Sequence, residues 1–308
     1  MSVEMVPFQE GQERLDWLGL TRALEAGHRL PKAEIGDTFL YRGKDTLLNR
    51  AAWIDGMGIA VKSATVFPDN PKAGQPVVGG GVNLYADADG RLEALVDFHL
   101  VTKWKTAGDS LLGALKLARK DSRKILIIGA GTVAQGLREA YGAGFPEAEF
   151  TVWNRTRANA QKLAARFPRV HVAESLEAAV KEADIITSAT MVTEPNLRGD
   201  WLQPGQHIDL IGAYRPDMRE ADDTALTRAQ IYCDSFDTTL DHIGEFKIPL
   251  EEGVIQRSDV LADFYSIDQF PAYDPEAITL FKNGGGAHLD LMTSHHILEK
   301  WKAGQGPV

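Results

Sequence analysis

The hydrophobic positions change rhythm about a third of the way along the chain. Apolar residues come first at helical spacing in "ERLDWLGLTRALEAGHRL" (13–30), where Leu15, Leu18 and Leu24 fall on or near one face. Two stretches rich in β-formers follow, "MGIAVKSATVFPDN" (57–70) and "PVVGGGVNLYADADGRLEALVDF" (76–98). In the second, Asp89-Gly90 lies between apolar runs and predicts a tight hairpin. "TAGDSLLGALKLARKD" (106–121) returns to helical spacing and ends in basic residues that suit the helix dipole.

From Lys124 onward, short apolar runs alternate with amphipathic patterns. "KILIIG", "EFTVWN", "VHVA", "ADIITSAT", "QHIDLIGA" and "AQIYCDS" read as strands, and "RANAQKLAARF" and "SLEAAVKEA" as helices. This alternation predicts crossover units and a parallel sheet covered by helices on both faces. The last segment, "AHLDLMTSHHILEKWKAG" (287–304), is again helical. We therefore expect an α/β protein with a Rossmann-type doubly wound sheet over 114–286. A second, α+β domain is expected from 1–113 with 287–308.

The 308 residues suit two domains, and the 44% hydrophobic and 25% charged content is ordinary for a globular protein. A formal net charge of −10 argues against nucleic acid as a partner. No apolar run is long enough to span a bilayer, and the first residues lack the basic-then-apolar order of a secretory signal. The single cysteine, Cys233, forms no internal disulfide and offers no metal framework. A cytoplasmic protein without a structural metal is expected. Glycosidase-like carboxylate pairs and a nucleophile elbow are missing, and His295 and His296, being adjacent, point to different sides of a helix.

"KILIIGAGTVAQGLREAYGAG" (124–144) carries the first chemical signal. It places Gly129 and Gly131 after a strand, Thr132 and Val133 at a helix start, and Ala134 where the third small residue of G-x-G-x-x-G/A belongs. The first glycine permits a tight turn, and the second lets backbone approach a pyrophosphate. The small third residue allows close packing of helix on strand. The free N–H groups and dipole of the helix start favour the anion. After the second strand, an NAD site usually presents an acid to the ribose hydroxyls. This chain instead has Asn154, Arg155, Thr156 and Arg157, and the two arginines can meet a 2′-phosphate. NADPH is expected, with NADH as the alternative. Ser188, Ala189 and Thr190 after "IIT", and Gly212 in "LIGAY", end strands at the sheet edge where ligands bind. Gly285, in "KNGGGAH", would let backbone approach the nicotinamide.

The same pieces, together with "AVKSATVFPDNP" (60–71), "VTKWKTAGDS" (101–110), "WLQPGQHIDLIGAYRPDMRE" (201–220) and "ITLFKNGGGAHLDL" (278–291), resemble the ornithine cyclodeaminase/mu-crystallin superfamily over nearly the whole chain. The resemblance implies a homodimer built through the N-terminal domain, with an active site between that domain and the dinucleotide domain. It also implies that Lys62 is the pocket lysine that pairs with a substrate carboxylate or assists proton transfer. Lys105 stands where most relatives have arginine, so the charge survives without the bidentate fork. Arg50 or Arg42 replaces an upstream pocket arginine. Tyr214 occupies the place of the aspartate in the "GGDCPGKTE" stretch of ornithine cyclodeaminases, which argues against that activity.

The resemblance therefore implies an NAD(P)H-dependent ketimine reductase acting on a small imino acid, with Δ1-pyrroline-2-carboxylate giving L-proline. Alternatives are an alanine-dehydrogenase-like enzyme, an iminosuccinate-type reductase, and an NADPH-binding protein of mu-crystallin type with little turnover. His288 is either a proton source or a packed histidine at a helix start.

Overall fold

The computed structural model describes residues 3–304, and no helix among them is long and apolar enough to cross a membrane. The chain divides into two compact units, one of Met1–Lys105 with Gly286–Val308 and one of Thr106–Gly285.

The first unit is built on a six-stranded sheet. Strands β2 (Glu34–Arg42), β3 (Asp45–Ile54), β4 (Gly58–Val66), β5 (Val78–Tyr85) and β6 (Leu92–Asp97) form an antiparallel meander, and β1 (Glu4–Val6) pairs parallel to β6. The β5–β6 turn contains Gly90 at φ +67°, a left-handed position that the Asp-Gly pair serves. Burial alternates along β4, so Ala60, Lys62 and Ala64 face inward together.

Helices α1 (Phe8–Gln12), α2 (Trp17–His28), α10 (Ala287–Ala303) and the first part of α3 (Phe98–Leu117) complete it. The helix expected from residue 13 begins instead at Trp17. Asp16 caps it by accepting from the Gly19 N–H at 2.5 Å, which leaves Leu15 outside. Its buried stripe is Trp17, Leu20 and Leu24, and Leu18 is exposed. Helix α3 starts at Phe98 rather than Thr106, because Asp97 accepts from the Leu100 N–H at 2.9 Å and supplies the cap earlier in the chain. Residues 101–105 are thereby helical, and the division between the units falls within this helix.

The second unit holds an eight-stranded, wholly parallel sheet. Its strands are β7 (Lys124–Ile128), β8 (Glu149–Trp153), β9 (Val170–Val172), β10 (Ile185–Ser188), β11 (His207–Leu210), β12 (Ala229–Cys233), β13 (Val260–Asp263) and β14 (Ile278–Lys282). They stand in the order β13-β12-β14-β11-β10-β7-β8-β9. Helices α4 (Thr132–Gly144), α5 (Arg157–Ala164), α6 (Leu176–Glu182), α7 (Asp223–Arg228), α8 (Phe236–Thr239) and α9 (Gly244–Glu251) connect them. The order reverses at β7, whose neighbours are β8 and β10, and ligands bind at the carboxyl ends of strands at such a reversal. The central strands β10, β11 and β14 are buried along their whole length, as a parallel sheet covered on both faces requires. Strands β13 and β14 lie outside those that the apolar pattern predicts, and β14 inserts between β11 and β12.

Candidate active site

At the carboxyl end of β7 the chain turns through Gly129 at φ +112°, where an added Cβ would lie 2.9 Å from the Ala189 carbonyl oxygen. Only glycine meets both conditions. Gly131 stands at the N-cap of α4 with no side chain capping the helix, and a Cβ built there meets nothing within 4 Å. Thr132 and Val133 are exposed in the first turn, whereas Ala134 is buried against the sheet. An uncapped helix start with open space before it fits a pyrophosphate, which would take the free N–H groups.

The end of β8 departs from expectation. Asn154 bridges the bend by donating to the Thr156 carbonyl at 2.9 Å. Thr156 occupies the N-cap of α5, but its hydroxyl caps nothing. Arg157 is already engaged by Glu174 in a two-bond ion pair, with Nη2 at 2.5 Å from Oε1. Arg155 is exposed and, among the described residues, forms no ion pair. Of the two arginines expected for a 2′-phosphate, Arg157 is thus paired with a carboxylate and Arg155 is in no ion pair among the described residues. Arg157 would first have to leave its carboxylate.

Ser188, Thr190 and Gly212 converge on a carboxylate that no local pattern marks, that of Glu220. Its Oε1 accepts from the Ser188 hydroxyl at 2.5 Å and from the Thr190 N–H and hydroxyl at 2.8 Å each. Its Oε2 accepts from the N–H groups of Gly212 at 2.5 Å and Ala213 at 3.1 Å. A Cβ on Gly212 would stand 2.2 Å from the Thr190 backbone, so the loops after β10 and β11 touch directly. Glu245 in turn accepts from the Glu220 and Ala221 N–H groups at 2.8 and 3.0 Å. Burial pushes both carboxyls above the usual range, and repulsion from Glu220 adds to this at Glu245; the nearby Lys282 ammonium opposes it. Ser188, expected to face the cofactor, spends its hydroxyl inside this network. Gly285 is held similarly, its N–H donating to the buried Asp234 at 2.7 Å with φ +73°. Tyr214 is 59% exposed.

The first unit carries a second constellation. Lys62 on β4 donates to Asp290 Oδ1 and to the Thr102 hydroxyl, both at 2.9 Å, and lies 4.6 Å from the Phe98 ring centre. Lys105 on α3 approaches the same Asp290 oxygen at 3.2 Å. All three charged side chains are at least nine-tenths buried. Burial lowers the Lys105 ammonium to about 8, with Asp290 pulling it up and Lys62 pushing it down. Burial also opposes the Asp290 charge, yet Lys105, Lys62 and Arg50 together hold its carboxyl below the usual range. Arg50, the register partner of Lys62, is held by Asp37 through Nε at 3.0 and 3.2 Å. Arg42 is not part of this cluster. It pairs with Asp45 at 2.9 Å at the far end of the β2–β3 hairpin and is exposed. His288 is fully buried edge-on to His28 at 5.3 Å, and burial drives its pKa well below the usual imidazole value. It is the packed histidine of the two readings.

With that geometry in hand, residues 52–305 match the model of the ornithine cyclodeaminase/mu-crystallin family. The chain belongs to this family. It is 45% identical over 302 residues to Delta(1)-pyrroline-2-carboxylate reductase of Paracoccus denitrificans (strain Pd 1222), covering 96% of each chain. It is 33% identical to the ketimine reductase mu-crystallin of Rattus norvegicus, over 80% of this chain and 77% of that one. Among solved structures, the Delta(1)-pyrroline-2-carboxylate reductase of Thermococcus litoralis, in complex with NADH and L-proline, superposes with a TM-score of 0.89 at 26% identity over 98% of both chains. An archaeal alanine dehydrogenase dimer with bound NAD gives the same TM-score at 25% identity, over 100% of this chain and 98% of that one.

The matched span of the family model contains Lys62, Lys105, Glu220 and Asp290. Of these, Asp290 and Glu220 carry no local signature. Asp290 sits in the first turn of α10, where an acidic residue is ordinary for the helix dipole, and Glu220 closes a loop.

Proposed function

We propose that this chain is an NAD(P)H-dependent imino-acid reductase that converts Δ1-pyrroline-2-carboxylate to L-proline. The observation that carries the reading is the buried Lys62–Asp290–Lys105 cluster in a chain that also bears an open dinucleotide cradle. The reductases at 45% and 33% identity support it.

Such a reduction needs a cation for the carboxylate, an acid for the imine nitrogen and a hydride for the imine carbon. Bound NAD(P)H supplies the hydride. Thr102 and Asp290 take two of the three Lys62 N–H bonds, which fixes the direction of the third for the substrate carboxylate. Lys105, brought to about 8, is protonated at neutral pH yet close enough to it to give up a proton. It protonates the imine nitrogen, which makes the adjacent carbon a better hydride acceptor. On the dinucleotide unit, Gly129, Gly131 and the α4 N-terminus take the pyrophosphate, and Arg155 the 2′-phosphate where NADPH is used. Glu220 keeps Thr190 and Gly212 in place beside it.

The first unit takes the substrate and forms the contact of a homodimer. The whole of β2 is exposed at the open edge of its sheet, and it carries Ile35, Phe39, Leu40 and Tyr41. An apolar edge strand of this length is normally covered. The lone cysteine, buried and free, suits a reducing cytoplasm. A dicarboxylate substrate is disfavoured because Asp37 already holds Arg50, and ornithine would find no carboxylate partner for its side chain, because Tyr214 stands in place of the cyclodeaminase aspartate.

The test is oxidation of NADPH and NADH against Δ1-pyrroline-2-carboxylate, Δ1-piperideine-2-carboxylate, pyruvate with ammonia and oxaloacetate with ammonia. Turnover of a cyclic imine, abolished in Lys62→Ala while the dinucleotide still binds, is expected. Silence across the panel with tight dinucleotide binding would move the protein to the binding role of the mu-crystallin type.

A further inference from the structure

Two ammoniums share one carboxylate oxygen in the first unit. Lys62 reaches Asp290 Oδ1 at 2.9 Å and Lys105 reaches it at 3.2 Å, while Asp290 Oδ2 is buried without a hydrogen-bond partner. A carboxylate placed for packing alone would satisfy both oxygens or be replaced by an apolar residue of similar size. This one concentrates its charge on the two lysines.

The surrounding charges can be followed element by element. On β3, Arg50 is matched by Asp37. On α10 and α2, His288 and His28 are buried, and burial keeps both imidazoles neutral at physiological pH. From α3 come Lys105, the neutral Thr102 and, one turn beyond Lys105, the buried Asp109, and from β4 Lys62. Two ammoniums thus meet one oxygen of Asp290.

We propose that Asp290 is a positioning residue of the reaction, which orients Lys62 and keeps Lys105 protonated beside it. The inference rests on the imino-acid reductase reading and adds to it the residue that holds its two lysines in their working state. Without Asp290, two buried ammoniums would face each other uncompensated and the more acidic of the two would lose its proton. Lys105 would do so first, because burial already lowers it.

The experiment measures kcat/KM against pH for Δ1-pyrroline-2-carboxylate in the wild type, Asp290→Asn and Asp290→Glu. Circular dichroism and dinucleotide binding check folding. In Asp290→Asn the alkaline limb is expected to move toward acid by about one pH unit or more, while dinucleotide binding persists. Asp290→Glu keeps the charge but displaces it, so its limb should stay in place while kcat/KM falls about tenfold. A folded Asp290→Asn with an unmoved limb overturns the proposal, however slow the enzyme has become. Should Asp290→Asn not fold, an Asp290→Glu variant as fast as the wild type overturns it instead. A wild type inactive on every imine overturns the underlying reading, and that outcome is distinct from either of these.

Discussion

The backbone N–H of Gly212 donates to Glu220 at 2.5 Å, and the other oxygen of that carboxylate holds Ser188 and Thr190. One buried side chain thereby joins the loops after β10 and β11, at the sheet edge where a dinucleotide lies in folds of this type. Glu220→Gln keeps the shape but turns one acceptor into a donor, which faces the Thr190 N–H in one orientation of the amide and the Gly212 and Ala213 N–H groups in the other. It should cost about 3–5 kcal/mol of stability, as for other broken buried charge networks. The dinucleotide Kd should rise about tenfold, the equivalent of one charged hydrogen bond. Thermal melts and fluorescence titration read both; a dinucleotide Kd within twofold of wild type would detach Glu220 from the cofactor.

The two arginines after β8 should behave differently. Arg155→Ala removes the unengaged guanidinium and should raise the NADPH Kd by roughly ten- to hundredfold with little effect on NADH. Arg157→Ala should do less, because Glu174 already holds that side chain. Equal losses in both variants, or equal loss for both dinucleotides, would show that this bend does not read the 2′-phosphate.

Two glycines separate fold from function. Gly131→Ala introduces a Cβ with nothing within 4 Å, so the protein should keep its melting temperature and lose dinucleotide affinity. Gly212→Ala forces a Cβ to 2.2 Å from the Thr190 backbone, so it should lose stability first, with poor soluble yield. If Gly131→Ala binds NADPH as the wild type does, the space before α4 is not where the pyrophosphate sits.

Activity should fall as pH rises through about 8, where the buried Lys105 gives up its proton. The sign follows from the role. Protonated lysine is the working form, so activity is present below this value and lost above it. Lys105→Arg cannot release a proton in this range; kcat should drop by about 10²- to 10⁴-fold with KM nearly unchanged. A variant that keeps a tenth or more of wild-type kcat would make Lys105 an anion contact only.

Much of this protein is legible along the chain because its signals are local. The dinucleotide turn needs small residues at Gly129, Gly131 and Ala134, and these lie within six residues of one another. The parallel sheet announces itself through apolar runs too uniform to leave either face in water, and Lys62 lies in the stretch 60–71 that carries the family resemblance. Helix starts were harder. Asp16 and Asp97 set them through single side-chain hydrogen bonds, which moved α2 later and α3 earlier than apolar spacing implies.

The contacts that make the site depend on distant parts of the chain. Lys62 and Asp290 are 228 residues apart in sequence, and Glu220 reaches back 32 residues to Ser188. An acid in the first turn of a helix, or at the end of a loop, has many ordinary uses, so no spacing rule singles these two out. The same holds for Arg157, whose partner Glu174 lies beyond the far end of its own helix and past β9, and for Arg42 and Arg50, which only the β2–β3 register separates. Local sterics and periodicity act between neighbours and can be read from residue order. Burial and electrostatic pairing act through space, so the choice of partner for each charge was made only when the chain folded.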